Sequence, residues 1–145
     1  CITAWIHHYE LHRQDMHKNP EALAAFLKDC GESCPNSADA EIFIGDILAR
    51  YEKYEEALTH FHGALTKKPN SPQPIMAVAN CNRMLAMKEK DPVKKAEYVK
   101  ASINALSFVR LISTEMYDKA VSWLYHDYCL LELPDHKPVD NIQTT

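Results

Sequence analysis

The chain has 145 residues, 46% of them hydrophobic and 25% charged, with a formal net charge of −4. That length buries a core without metal or disulfide staples. The charge leaves no basic stripe of the kind nucleic acid selects, and only 3 glycines disfavour hairpin-rich β folds, whose tight turns need positive φ.

In chain order, Cys1–Ile6 is apolar, but six residues fall far short of the ~20 that span a bilayer. We read this stretch as the start of an amphipathic helix, the stub of a truncated anchor or presequence being the alternative. Asn19-Pro20, Ser71-Pro72 and Asp91-Pro92 each set a capping side chain before a proline, the pattern of a helix start. Between such marks the apolar period is helical, as in Tyr54, Ala57, Leu58, Phe61, Ala64 and Leu65. The periodicity predicts seven helices, at 3–17, 20–31, 38–51, 54–67, 72–88, 92–112 and 114–132, in one domain over 1–133. The tail at 134–145 is expected to be irregular.

The last predicted helix repeats its apolar face through Met116, Ala120, Trp123, Leu124, Tyr128 and Leu131, opposite Asp118, Lys119, Ser122 and His126. It reads as a long solvating cap. Asp127 falls inside the apolar stripe and must find a hydrogen-bond partner there or reach water.

Pro-Asn-Ser occurs at 35–37 and again at 69–71, 34 residues later, which is the tetratricopeptide period. Residues 38–71 resemble the tetratricopeptide repeat family. Ile44-Gly45 and Leu48 stand at the first-helix signature positions; Ala57, Phe61, Ala64 and Pro69 stand at those of the second. Glu41 departs from the family's large residue at the first position. One period earlier Leu23, Leu27, Cys30 and Pro35 fit, while His7, Glu10, Leu11 and Gln14 do not. One period later Ile75, Val78 and Ala79 fit, but Asn82 is polar and the register then breaks. The resemblance implies an all-α stack of antiparallel helix pairs, with degenerate outer units expected at the ends of such a stack.

In that family the first helices line a concave groove. The resemblance places His8, His12, Ile42, Asp46, Ala49, Met76, Asn80 and Arg83 along it, as partner-contacting residues for an amphipathic helix or extended peptide. A subset of the family clamps acidic chaperone tails with a Lys/Asn/Arg set. That set is missing here, and Asp46 would repel a carboxylate. Residues 54–65 are also similar to the single repeat of the mitochondrial outer-membrane preprotein receptor and to that of the mitochondrial fission adaptor.

The remaining constellations are read as structural. His8 and His12 share a helix face, but a metal needs further ligands that no neighbouring spacing supplies. Cys30-x-x-x-Cys34 has one residue too many for a redox or zinc pair, and His126-x-x-Cys129 is isolated. Five cysteines at irregular spacing do not form a secreted framework, so free thiols in a reducing, intracellular compartment are expected, cytoplasmic or alternatively mitochondrial. No phosphate loop, nucleophile elbow or zinc-protease motif occurs. The sequence therefore points to a non-catalytic protein-binding adaptor or scaffold. The alternatives are a permanently built-in subunit of a large, possibly mitochondrial, assembly and an import-receptor-like protein. No cofactor, metal, nucleic-acid partner or membrane span is expected.

Overall fold

The computed structural model describes residues 1–132; the tail expected at 134–145 lies outside them. Among the described residues the chain is all-helical: α1 (Ile2–Lys18), α2 (Pro20–Ser33), α3 (Ala38–Arg50), α4 (Tyr54–Lys67), α5 (Pro72–Lys88), α6 (Pro92–Ile112) and α7 (Tyr117–Glu132). The helix starts follow the capping chemistry. Asn19 Oδ1 accepts from Ala22 N at 3.2 Å, Ser37 Oγ from Ala40 N at 3.0 Å, and Asp91 Oδ1 from Val93 N at 3.4 Å. Ser71 is the exception: its side chain does not cap α5. The usual recipients are the second and third helical N–H groups, and Pro74 removes the third. The last helix begins later than its periodicity suggests, because Ser113 Oγ accepts from Met116 N and holds 113–116 as a turn.

Two compact units divide the chain after Pro69. In the first, α3 and α4 run antiparallel: Glu41, near the start of α3, reaches Lys67 at the end of α4. Gly45 makes this close approach possible. A Cβ there would lie 2.8 Å from the Phe61 ring, and Phe61, Ala57 and Ala64 are fully buried. The turn between the helices is closed by Lys53 N donating to Leu48 O and Glu52 N to Ala49 O, with Glu52 at φ 61°. This is a Schellman cap with glutamate where glycine is usual.

The helix α1 joins through aromatic rings. Trp5 meets Phe26 edge-on at 5.4 Å, and Tyr9 meets Phe43 at 5.9 Å. Its buried residues are Tyr9 and Met16, whereas His7, Glu10, Leu11 and Gln14 are exposed. Rings rather than the repeat's signature positions set how α1 is rotated. One expectation about the thiols is corrected: Cys1 and Cys34 form a disulfide, while Cys30, Cys81 and Cys129 are outside any disulfide. The pairing arises because Cys34 caps the end of α2 beside the start of α1, a proximity invisible in the spacing.

In the second unit α6 packs against both α5 and α7. The α6–α7 pair is antiparallel, since Ser102 reaches Asp127 while Pro92 and Lys95 lie beside Leu130 and Leu131. Along α5 and α7 the contacts advance together, from Met76 near Met116 and Lys119 to Arg83 near His126, so these two helices run parallel. Asn82, the polar residue that interrupts the repeat pattern, is buried and donates to Val78 O at 2.9 Å within its own helix.

Candidate functional site

Asp127, in the inner stripe of α7, is completely buried. It finds the partners that its position demands. Ser102 Oγ donates to Oδ2, and Arg83 Nε lies 2.9 Å from Oδ1. The Arg83 contact is an ion pair in which the N–H is not aligned for a hydrogen bond. Arg83 also places Nη2 3.1 Å from His126 Nδ1 and its guanidinium 4.6 Å over the Trp123 ring, whose other cationic neighbour is Lys119. Burial raises the Asp127 carboxyl above its ordinary value; the Ser102 hydrogen bond and the Arg83 and His126 charges pull the other way without cancelling it.

This arrangement bears on the expected groove. Arg83 is engaged with α7 and its side chain is only 14% exposed. Met76 is buried, and Met76 and Asn80 border a cleft of about 390 Å³ whose far wall is Met116, Lys119 and Trp123 of α7. On α5, then, the positions expected to meet a partner meet the chain's own last helix.

In the first unit the expected residues separate into two places. His8 and His12 are exposed with rings 4.6 Å apart, but His8 stacks on Phe26 at 5.5 Å. That contact assigns it to a cleft of about 630 Å³ between α1 and α2, beside Trp5 and Ala22. Ile42, Asp46 and Ala49 form a half-buried stripe on α3. Burial raises the Asp46 carboxyl, against a smaller lowering by Arg50. Glu41, the departure from the repeat signature, lies over Gly63, where a Cβ would meet its carboxylate, and bridges to His60 at 2.9 Å and Lys67 at 3.4 Å. It joins the two helices by charge where the family uses a large side chain.

The feature that sequence reasoning missed is the outer side of the second unit. Tyr117, Val121, Tyr125 and Tyr128 form an exposed stripe on α7, Tyr125 being 68% exposed; Phe108 and the 78%-exposed Leu111 stand near the end of α6. Tyr128 was expected on the inner face, and α7 is not the uniformly solvating cap that its charged residues suggest. The i, i+4, i+8, i+11 spacing was the available signal, masked because Tyr carries both an apolar ring and a polar tip.

Among the described residues no three His, Cys, Asp or Glu side chains gather as a metal site requires, and no helix is long and apolar enough to cross a membrane. No known protein family, curated protein or solved structure matches this chain. The functional reading therefore rests on its own residues.

Proposed function

We propose that the chain is a non-catalytic protein-interaction module built from tetratricopeptide-type helix pairs. The observation that carries the reading is the exposed tyrosine-rich stripe of α7. Contiguous apolar surface left on a helix whose inner face is already packed marks a protein contact more often than solvent. Tyrosine suits such a contact, since it offers a large ring with little conformational freedom to lose and a hydroxyl that tolerates water before the partner arrives.

Support for the repeat reading comes from α3–α4, where Gly45, Ala57 and Ala64 permit the close approach and Phe61 fills it. The parallel run of α5 and α7, both packed on α6, is the relation that first helices of successive repeats have to each other. In this reading the α3 stripe of Ile42, Asp46 and Ala49 is a separate surface for a reversible peptide. The α7 stripe is the more permanent contact and favours the built-in-subunit form of the function, in a large assembly whose compartment is cytoplasmic or mitochondrial.

A native pull-down from the source cell distinguishes the two surfaces. Val121→Glu with Tyr125→Glu should abolish recovery of a stoichiometric partner, with the circular dichroism spectrum unchanged. Ile42→Asp should leave that partner bound. Loss of recovery with Ile42→Asp alone would move the contact to α3, and full recovery with both variants would sink the reading.

A further inference from the structure

A cleft of about 570 Å³ in the first unit lies where the C-terminal turns of α1 and α3 come together. Its lining is cationic and aromatic: Tyr9, Arg13, His17, Lys18, Arg50 and Tyr51. Three permanent cations share one concavity on a chain whose net charge is −4. Among the described residues none of them has a direct ion pair. Arg50 is coupled to Asp46 one turn back. The wall is aromatic, with His17 and Tyr51 rings 5.6 Å apart and Tyr9 in the same lining.

We propose that this cleft binds an organic phosphate monoester, its phosphate held by Arg13, Arg50 and Lys18 and its organic body lying against Tyr51 and His17. Two guanidinium forks match the planar pairs of phosphate oxygens, and an ammonium adds a point charge. A phosphate monoester brings close to two negative charges at neutral pH, which a set of three cations can meet. The Tyr51 hydroxyl remains a donor there: burial, with Tyr9 beside it, holds its phenol above the ordinary value. The size is that of a small-molecule site, typically about 300–1,000 Å³. Nothing in this inference depends on the interaction surface of α7.

Titration of the full chain with phenyl phosphate, followed by backbone amide NMR at low salt, tests it. Saturable shifts are expected at residues 9–18 and 46–51, with inorganic phosphate binding more weakly because it lacks the ring. Arg13→Gln with Arg50→Gln should weaken phenyl phosphate by at least about tenfold at an unchanged circular dichroism spectrum. Should that pair disturb folding, the exposed Lys18→Gln alone should still weaken binding by a few fold. Benzoate binding as well as phenyl phosphate would overturn the phosphate assignment, and equal affinity for inorganic phosphate would overturn the organic body. Absent or non-saturating shifts, or shifts indifferent to these substitutions, would overturn the site itself.

Discussion

The α3–α4 pair and the α5–α6–α7 set solve one problem, joining amphipathic helices, by opposite means. In α3–α4 a glycine lets an aromatic ring approach closely, and polar groups such as Glu41, His60 and Lys67 stay on the partly exposed side. In the second set a carboxylate is buried at the centre of a helix contact and held by a hydroxyl and a guanidinium. Close packing of small residues is insensitive to pH and salt but intolerant of added volume. A buried ion pair is the reverse: it specifies which helix sits where, and isolating either charge is costly. The first pair is thus legible from small residues at helical spacing, whereas the second set depends on a long-range charge contact.

The largest effect should come from emptying the α3–α4 contact. Phe61→Ala should cost about 3–5 kcal/mol of unfolding free energy, read from denaturant titration, because a fully buried ring leaves a cavity flanked by Gly45 that backbone cannot easily fill. A loss below about 1 kcal/mol would mean that Phe61 is not the filler. Overfilling the same contact is the next test. Ala64→Leu should cost about 1–3 kcal/mol through displaced neighbours, and an unchanged denaturation midpoint would remove the main distinction between the two regions.

The smallest effect concerns pH and is read at Asp127 in the second set. A carboxyl raised by folding contributes stability that is complete below its ordinary value and is lost as pH rises through the raised value. Thermal melts of the parent and Asp127→Asn should therefore diverge with pH. Relative to the variant, the parent should lose stability from the ordinary carboxylate range upward, through the raised value, and then level off. A difference that is flat, or that grows in the parent's favour with rising pH, would contradict the assigned direction.

Helix positions were legible because proline after a capping side chain leaves few alternatives, and the seven spans differ from the observed ones mainly at the turn before α7. The α3–α4 contact was legible too, since Gly45, Ala57 and Ala64 have no better reason to be small. What stayed hidden was long-range or ambiguous. Arg83 read as groove-facing because nothing in α5 names its partner on α7. Cys1 and Cys34 read as unrelated because only the docking of α1 on α2 brings them together. The rotation of α1 was set by rings on three helices, and Tyr128 was assigned inward because apolar periodicity alone does not weigh a hydroxyl.

The central claim is that α7 occupies the face of α5 on which a partner was expected, through Arg83 and Asp127. A double-mutant cycle with Arg83→Met and Asp127→Leu measures that contact directly by equilibrium unfolding. Each single change should cost about 3–5 kcal/mol by stranding a buried charge, while the double variant should lie much closer to the parent. The coupling energy should accordingly be at least about 1.5 kcal/mol. Additive losses, with coupling under about 0.5 kcal/mol, would show that the two side chains do not meet and would return Arg83 to the open groove.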